Sequence, residues 1–138
     1  MYFAFLLTQP LKILFAPLDW GLGHVTRCIP LIQYCEAQGH QIFIAGEELC
    51  FSLLQPIFPN ASFVALSGYE IRYSKKKWQL PFRIALQLPK LFFAVLREQN
   101  QLQQIVKEYD IQLVFSDNRY GLFHKNIKTI FITHQVNI

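Results

Sequence analysis

Residues 12–27, KILFAPLDWGLGHVTR, constrain the fold of this chain more than any other stretch. A short β-rich apolar run stops at Pro17, passes through the turn Gly21-Leu22-Gly23-His24, and continues into residues with helical spacing. The pattern predicts a strand that feeds a helix through a glycine-rich loop. Gly21 and Gly23 accept backbone angles closed to other residues, so the chain can turn tightly there. The loop, with Thr26 and Arg27 following, can then bring bare N–H groups up to a phosphate or a sugar hydroxyl. It is not the dinucleotide fingerprint, because Thr26 stands where the third glycine belongs, and it lacks the Gly-Lys-Ser/Thr ending of a P-loop. What it offers instead is His24, an imidazole side chain at the mouth of the turn.

The same alternation runs through the rest of the chain. Strands are expected at 12–16, 41–45, 62–66, 111–116 and 128–133, and helices at about 25–37 and at 47–54. Gly39 closes the first helix, and Pro30 falls in its first turns, where a proline is tolerated. Residues 56–60 read as a turn and 67–77 as a polar basic loop. Residues 78–109 read as mostly helical but interrupted by Pro81 and Pro89, with Pro89 breaking or kinking the helix. Alternating strands and helices imply βαβ units, hence a Rossmann-like α/β fold: a parallel sheet of order 3-2-1-4-5 with helices on both faces. The 138 residues suffice for one domain with its own core, read as 12–138. Residues 1–11 read as an apolar extension. They lack the basic start and the cleavage site of a signal peptide and are too short to span a bilayer.

Composition excludes disorder: 52% of residues are hydrophobic and only 16% charged, as in a chain with many buried strands or a large apolar face. Cys28, Cys35 and Cys50 are odd in number and lack metal-ligand spacing, so they read as reduced core residues of a cytosolic protein, with no metal site. The net charge of +4 is local. Arg72, Lys75, Lys76, Lys77, Arg83, Lys90 and Arg97 lie in a stretch without an acidic residue, and the rest of the chain carries 6 basic against 9 acidic side chains. With Trp78, Phe82, Leu86, Phe92 and Phe93 interleaved, this stretch is either a surface for anionic lipid or a core helix with a solvated basic edge. Nucleic acid is not expected, since the cations lie among apolar residues outside any recognition motif.

In doubly wound sheets ligands bind beyond the carboxyl ends of the strands. Four polar clusters fall there, around Asp19 and His24, Glu47 and Glu48, Asp117 with Asn118 and Arg119, and His134 to Asn137. They define one composite site. His24 is a candidate general base, or else a residue hydrogen-bonded within the loop. Asp117 ends the strand beside the first, so it can orient the His24 ring, or else cap a turn. Asp19 is the rival base, or a brace for the loop. Asn118, Arg119 and Asn137 fall on the cleft by position. Glu47 and Glu48 read as charges favoured by a helix N-terminus.

The Gly21-to-His24 turn, the Gly39-His40 pair before the second strand and the His134-Gln135-Val136-Asn137 run resemble the N-terminal domain of GT-B glycosyltransferases, in particular the MurG-like UDP-N-acetylglucosamine transferases. That family ends its domain with a His-Glu-Gln-Asn run; here Gln135 stands one place early and the Glu is absent. The strings DWGLGH and DNRYG are similar to a bacterial branch of the group. The resemblance implies the acceptor-binding half of an inverting, metal-independent enzyme without a cofactor, acting at the cytoplasmic face of a membrane on a lipid-linked acceptor. It implies a UDP-sugar donor held by a second domain beyond this chain, so that the 138 residues alone are inactive. It also pairs His24 with Asp117 and makes His134 and Gln135 acceptor or interdomain contacts. A different reading is a non-catalytic, membrane-recruiting subunit that pairs with a separate donor-binding chain. A third is a nucleotide- or phosphate-binding regulatory module.

Overall fold

The computed structural model of the chain describes residues 9–19, 21–68 and 80–133. Its elements run β1 (Lys12–Ala16), α1 (Leu22–Ala37), β2 (Gln41–Gly46), α2 (Glu48–Leu54), β3 (Ser62–Ala65), α3 (Leu80–Tyr109), β4 (Leu113–Asp117) and β5 (Lys128–Ile132). The strands form one parallel sheet in the order β3-β2-β1-β4-β5, as the alternation predicts. β1 is central, its four residues 13–16 in register with 113–116 of β4.

Period-two alternation divides the central strands between two cores. Ile13 and Phe15 face α1 and α2, packing with Val25, Cys28, Ile32, Cys50 and Leu54. Leu14 and Ala16 face the other way, against Leu102 and Ile105 of α3. Both faces of β1, β2 and β4 are therefore covered, which is why these strands read as unbroken apolar runs. Phe15 and Phe115, register partners on β1 and β4, stack with ring centroids 4.9 Å apart and planes 4° from parallel.

Neither helical proline breaks its helix. α1 begins at Leu22 rather than near residue 25, which places Pro30 well inside it, and α3 runs through Pro89 as one helix of 30 residues. An interior proline deprives the carbonyl four residues earlier of its partner. Thr26 and Pro30, like Ala85 and Pro89, are exposed, so water can take the freed carbonyl and the helix continues. The segment 67–77 and Trp78 fall largely outside the described residues, as do residues 1–8 of the apolar extension. So do His134, Gln135 and Asn137, and Lys75, Lys76 and Lys77.

His40 of the Gly39-His40 pair lies at the amino end of β2, the edge opposite the candidate site. Gly39, in the left-handed region at φ 85°, ends α1 and lets the chain turn into the strand. The His40 ring is buried, and its Nδ1 accepts the backbone N–H of Leu11 at 3.0 Å, tying the start of β1 to β2. Burial lowers its pKa below the ordinary 6.5. The unfolded chain therefore takes up a proton at a higher pH than the folded one, and stability falls as pH drops below that value. Melting temperature is expected to decline from pH 7.5 to pH 5 more steeply in the wild type than in His40→Asn, whose Oδ1 can replace Nδ1 as acceptor. Equal slopes would show that His40 carries none of the dependence.

Candidate functional site

β1 and β4 are neighbours, so their carboxyl ends open side by side, and five residues separate the end of β1 from the start of α1. Gly21 makes this approach possible: at φ 137° it occupies backbone space that side chains disfavour, and it serves as N-cap. Gly23, expected to share that role, is instead helical in the first turn, and a Cβ there would meet nothing within 4 Å. His24 and Arg27, three residues apart, lie on one face of α1. That face looks onto Asp117, the last residue of β4, which is 1% exposed.

Arg27 grips the Asp117 carboxylate with two bonds: Nε donates to Oδ2 at 3.0 Å and Nη2 to Oδ1 at 2.6 Å. The same Nη2 lies 2.6 Å from His24 Nδ1, and that Nδ1 lies 3.4 Å from Asp117 Oδ2. A buried carboxylate without a partner is costly, and the guanidinium offsets that cost here. His24 and Arg27 both remain partly open to solvent. The result is an imidazole at the mouth of a glycine turn with a charge pair behind it, an arrangement suited to moving a proton.

Asp19 is placed as a brace. Its Oδ2 accepts the Glu47 N–H at 3.1 Å, and Glu47 Oε1 in turn accepts the Gly68 N–H at 2.9 Å. Asp19 and Glu47 thus link the ends of β1, β2 and β3. Glu47 is the N-cap of α2 and Glu48 its first residue, though no side chain caps that helix. Thr26, expected in the ligand loop, turns its hydroxyl back onto the Leu22 carbonyl at 2.8 Å. Asn118 sits in the left-handed region at φ 53°, which asparagine tolerates, and its N–H donates to the Ile132 carbonyl. An open cavity of about 490 Å³ lies at the ends of β2 and β3, lined by Gly46, Glu47, Phe51, Gln55, Leu66 and Ser67 among others. None of the His24 cluster lines it, so the candidate chemistry and this cavity are separate features.

Arg119 is not a cleft residue. It is 1% exposed and buried beneath the strand ends, with Nε on the Pro17 carbonyl at 3.1 Å and Nη1 on the Ser67 carbonyl at 3.2 Å. Nη1 also bonds Glu98 Oε1 at 2.9 Å, and Glu98 Oε2 accepts the Gly121 N–H at 3.2 Å. A Cβ on Gly121 would lie 2.6 Å from that oxygen and 2.8 Å from the Val95 carbonyl, so only glycine fits there. Glu98 carries no signal in the sequence, since it merely follows a cationic stretch, and Gly121 is marked there only as the last residue of the DNRYG string. Arg27 did carry one, in its three-residue spacing from His24.

The cysteines are buried and free. Burial pushes the Cys28 and Cys50 thiols up to about 12 and Cys35 to about 11, with Asp117 adding to the effect on Cys28 and Asp19 on Cys50. They are packing residues and not nucleophiles.

α3 divides into two halves. Glu98, Leu102 and Ile105 on one face are buried against the sheet. At about 100° per residue, Phe82, Leu86, Pro89, Phe92, Phe93 and Leu96 share the opposite face, with Lys90 and Arg97 along its edge. Phe82 is 79% exposed, Phe93 68%, Leu86 67% and Phe92 62%. Lys90 and Arg97 are exposed as well, and the Arg83 side chain lies outside the described residues. The reading of this half as a core helix is therefore not met. Among the described residues no helix is long and apolar enough to cross a membrane.

No family model matches the sequence, and no curated protein is similar to it at the sequence level. Among solved structures the chain is similar to UGT73P12 of Glycyrrhiza uralensis, determined with glycyrrhetinic acid 3-O-monoglucuronide. The TM-score is 0.52 at 17% identity, over 79% of this chain and 24% of that one. The likeness is one of fold, a Rossmann-like sheet shared with a GT-B glycosyltransferase. The present chain spans about a quarter of that structure's length.

The Arg119 network beneath the site makes a quantitative prediction. Arg119→Met takes the guanidinium away from the buried Glu98 carboxylate and is expected to cost about 3–5 kcal/mol in denaturant unfolding. The double variant Glu98→Leu/Arg119→Met, with no charge left to strand, is expected to be more stable than Arg119→Met alone. A double variant as unstable as the sum of its singles would contradict the pairing.

Proposed function

We propose that this chain is the acceptor-binding half of an inverting, metal-independent glycosyltransferase. It works with a UDP-sugar, UDP-N-acetylglucosamine by the resemblance, and a membrane-associated or lipid-linked acceptor. The observation that carries the reading is the cluster of His24, Arg27 and Asp117 at the adjacent carboxyl ends of β1 and β4. The cluster stands on a fold shared with a glycosyltransferase whose structure holds a sugar conjugate. In this reading the acceptor hydroxyl lies against His24, whose Nε2 takes its proton as the oxygen attacks the anomeric carbon. An Nδ1–H facing Asp117 fixes the ring and stabilises the imidazolium. The donor diphosphate belongs to a second domain outside these residues, so in-line attack requires both parts. No cofactor takes part.

In the chain joined to its donor domain, His24→Ala is expected to lower kcat by about two to four orders of magnitude, the range for loss of a general base. Asp117→Asn is expected to cost less, and the double variant to be little worse than His24→Ala, because groups that act as a unit are not additive. An unchanged kcat in His24→Ala would remove the base and leave Asp19 as the next candidate.

The exposed apolar stripe of α3 supports placing the protein peripherally on the cytoplasmic face of a membrane, with the cations of residues 72–97 meeting anionic lipid at about 1 kcal/mol per charge near the surface. It also favours the second reading, a non-catalytic subunit that brings a separate donor-binding chain to the membrane, because the stripe needs no chemistry at His24. The chain is expected to co-sediment with phosphatidylserine-containing vesicles, to be released by salt, and to bind less well when Lys75, Lys76 and Lys77 are changed to Gln. Equal sedimentation with neutral and anionic vesicles would end the membrane assignment.

A further inference from the structure

We propose that Arg27 sets the tautomer of His24, holding the ring in its Nε2–H form, and that the Arg27–His24 contact must open before His24 can act as a base. The first half stands on geometry alone. The second rests on the glycosyl-transfer reading.

The guanidinium has donors and no acceptor, and it stays protonated in proteins. Of the two hydrogens on Arg27 Nη2, one serves Asp117 Oδ1 at 2.6 Å, and the other is left for His24 Nδ1, also at 2.6 Å. Nδ1 must therefore accept with its lone pair. A neutral imidazole with a bare Nδ1 carries its proton on Nε2. The competing contact, Nδ1 to Asp117 Oδ2 at 3.4 Å, needs a hydrogen on Nδ1 and is long for a charge-assisted bond, whose usual range is about 2.7–2.9 Å. The two contacts exclude each other because each assigns Nδ1 the opposite role, and the shorter one is made by Arg27.

In the Arg27-held form Nε2 can donate a hydrogen bond to an acceptor oxygen but has no lone pair with which to take its proton. A small shift of ring or guanidinium that breaks the Nη2–Nδ1 contact removes this restriction. One proton then leaves Nε2 for water and another joins Nδ1 from water, pointing to Asp117 Oδ2, so the ring stays neutral. Nε2 now holds the lone pair that the acceptor hydroxyl's proton requires. Arg27 is thus a positioning residue with two tasks, gripping Asp117 and keeping the imidazole in its donor form.

The test is long-range 1H–15N correlation of the 15N-labelled chain at about pH 8.5, above the ordinary imidazole value of about 6.5, with His24 assigned by difference from His24→Gln. In the wild type His24 is expected to show an unprotonated Nδ1 and a protonated Nε2. In Arg27→Met, which keeps the length of the side chain without its donors, the population is expected to move toward protonated Nδ1. Arg27→Lys, with one donor head, is expected to fall between. A wild-type His24 already protonated at Nδ1 overturns the proposal whether or not the variants fold, and so does a folded Arg27→Met with the wild-type pattern. The measurement needs neither donor nor acceptor. Its failure therefore leaves the glycosyl-transfer reading to the kcat test, and failure of that reading leaves the tautomer assignment standing.

Discussion

The buried pair of Glu98 and Arg119 is the contact on which the upper part of the molecule depends. Through one side chain Arg119 joins the end of β1 at Pro17, the loop after β3 at Ser67 and the middle of α3 at Glu98, while its own carbonyl accepts the Ser116 hydroxyl at 2.7 Å. Two buried charges repay their desolvation only when geometry and hydrogen bonding are nearly complete. The surrounding loops converge on the pair and satisfy Nε and Nη1, while Arg119 Nη2 is left buried without a hydrogen bond among the described residues. Gly121 belongs to the same requirement, since its lack of a side chain lets the loop after β4 press against α3.

That anchor also accounts for the two characters of α3. Its C-terminal half is clamped on the sheet by Glu98, Leu102 and Ile105, and its N-terminal half projects an apolar face with a cationic edge. A helix of this length extends about 45 Å, more than the sheet beneath it can cover. The surplus is surface, and the proline at 89 is tolerated because it lies there. The second charge pair, Arg27 on Asp117, stands at the carboxyl end of β4 with His24 against both. One buried pair ties together the segments that follow the strand ends, and the other, partly open to solvent, gives those ends a group able to handle protons.

The sequence by itself determined the architecture. Short β-rich runs alternating with helical spacing leave a parallel sheet as the arrangement that covers both faces, and the observed strand order follows it. It also brought His24 and Asp117 to neighbouring strand ends, because topology places whatever residue ends a strand. What only the tertiary structure decided is which polar side chains work at the surface and which are spent inside. Arg119 reads like Arg27 as a cation beside a strand end, yet one is buried beneath the sheet edge and the other faces the opening. Glu98, which nothing in the sequence singles out, is almost wholly inside. The reason is physical: periodicity reports which face of an element is apolar, since hydrophobic burial scales with area and needs no particular partner. A buried charge instead depends on a specific partner at bonding distance, here 21 residues away in sequence, and that distance exists only once the chain has folded.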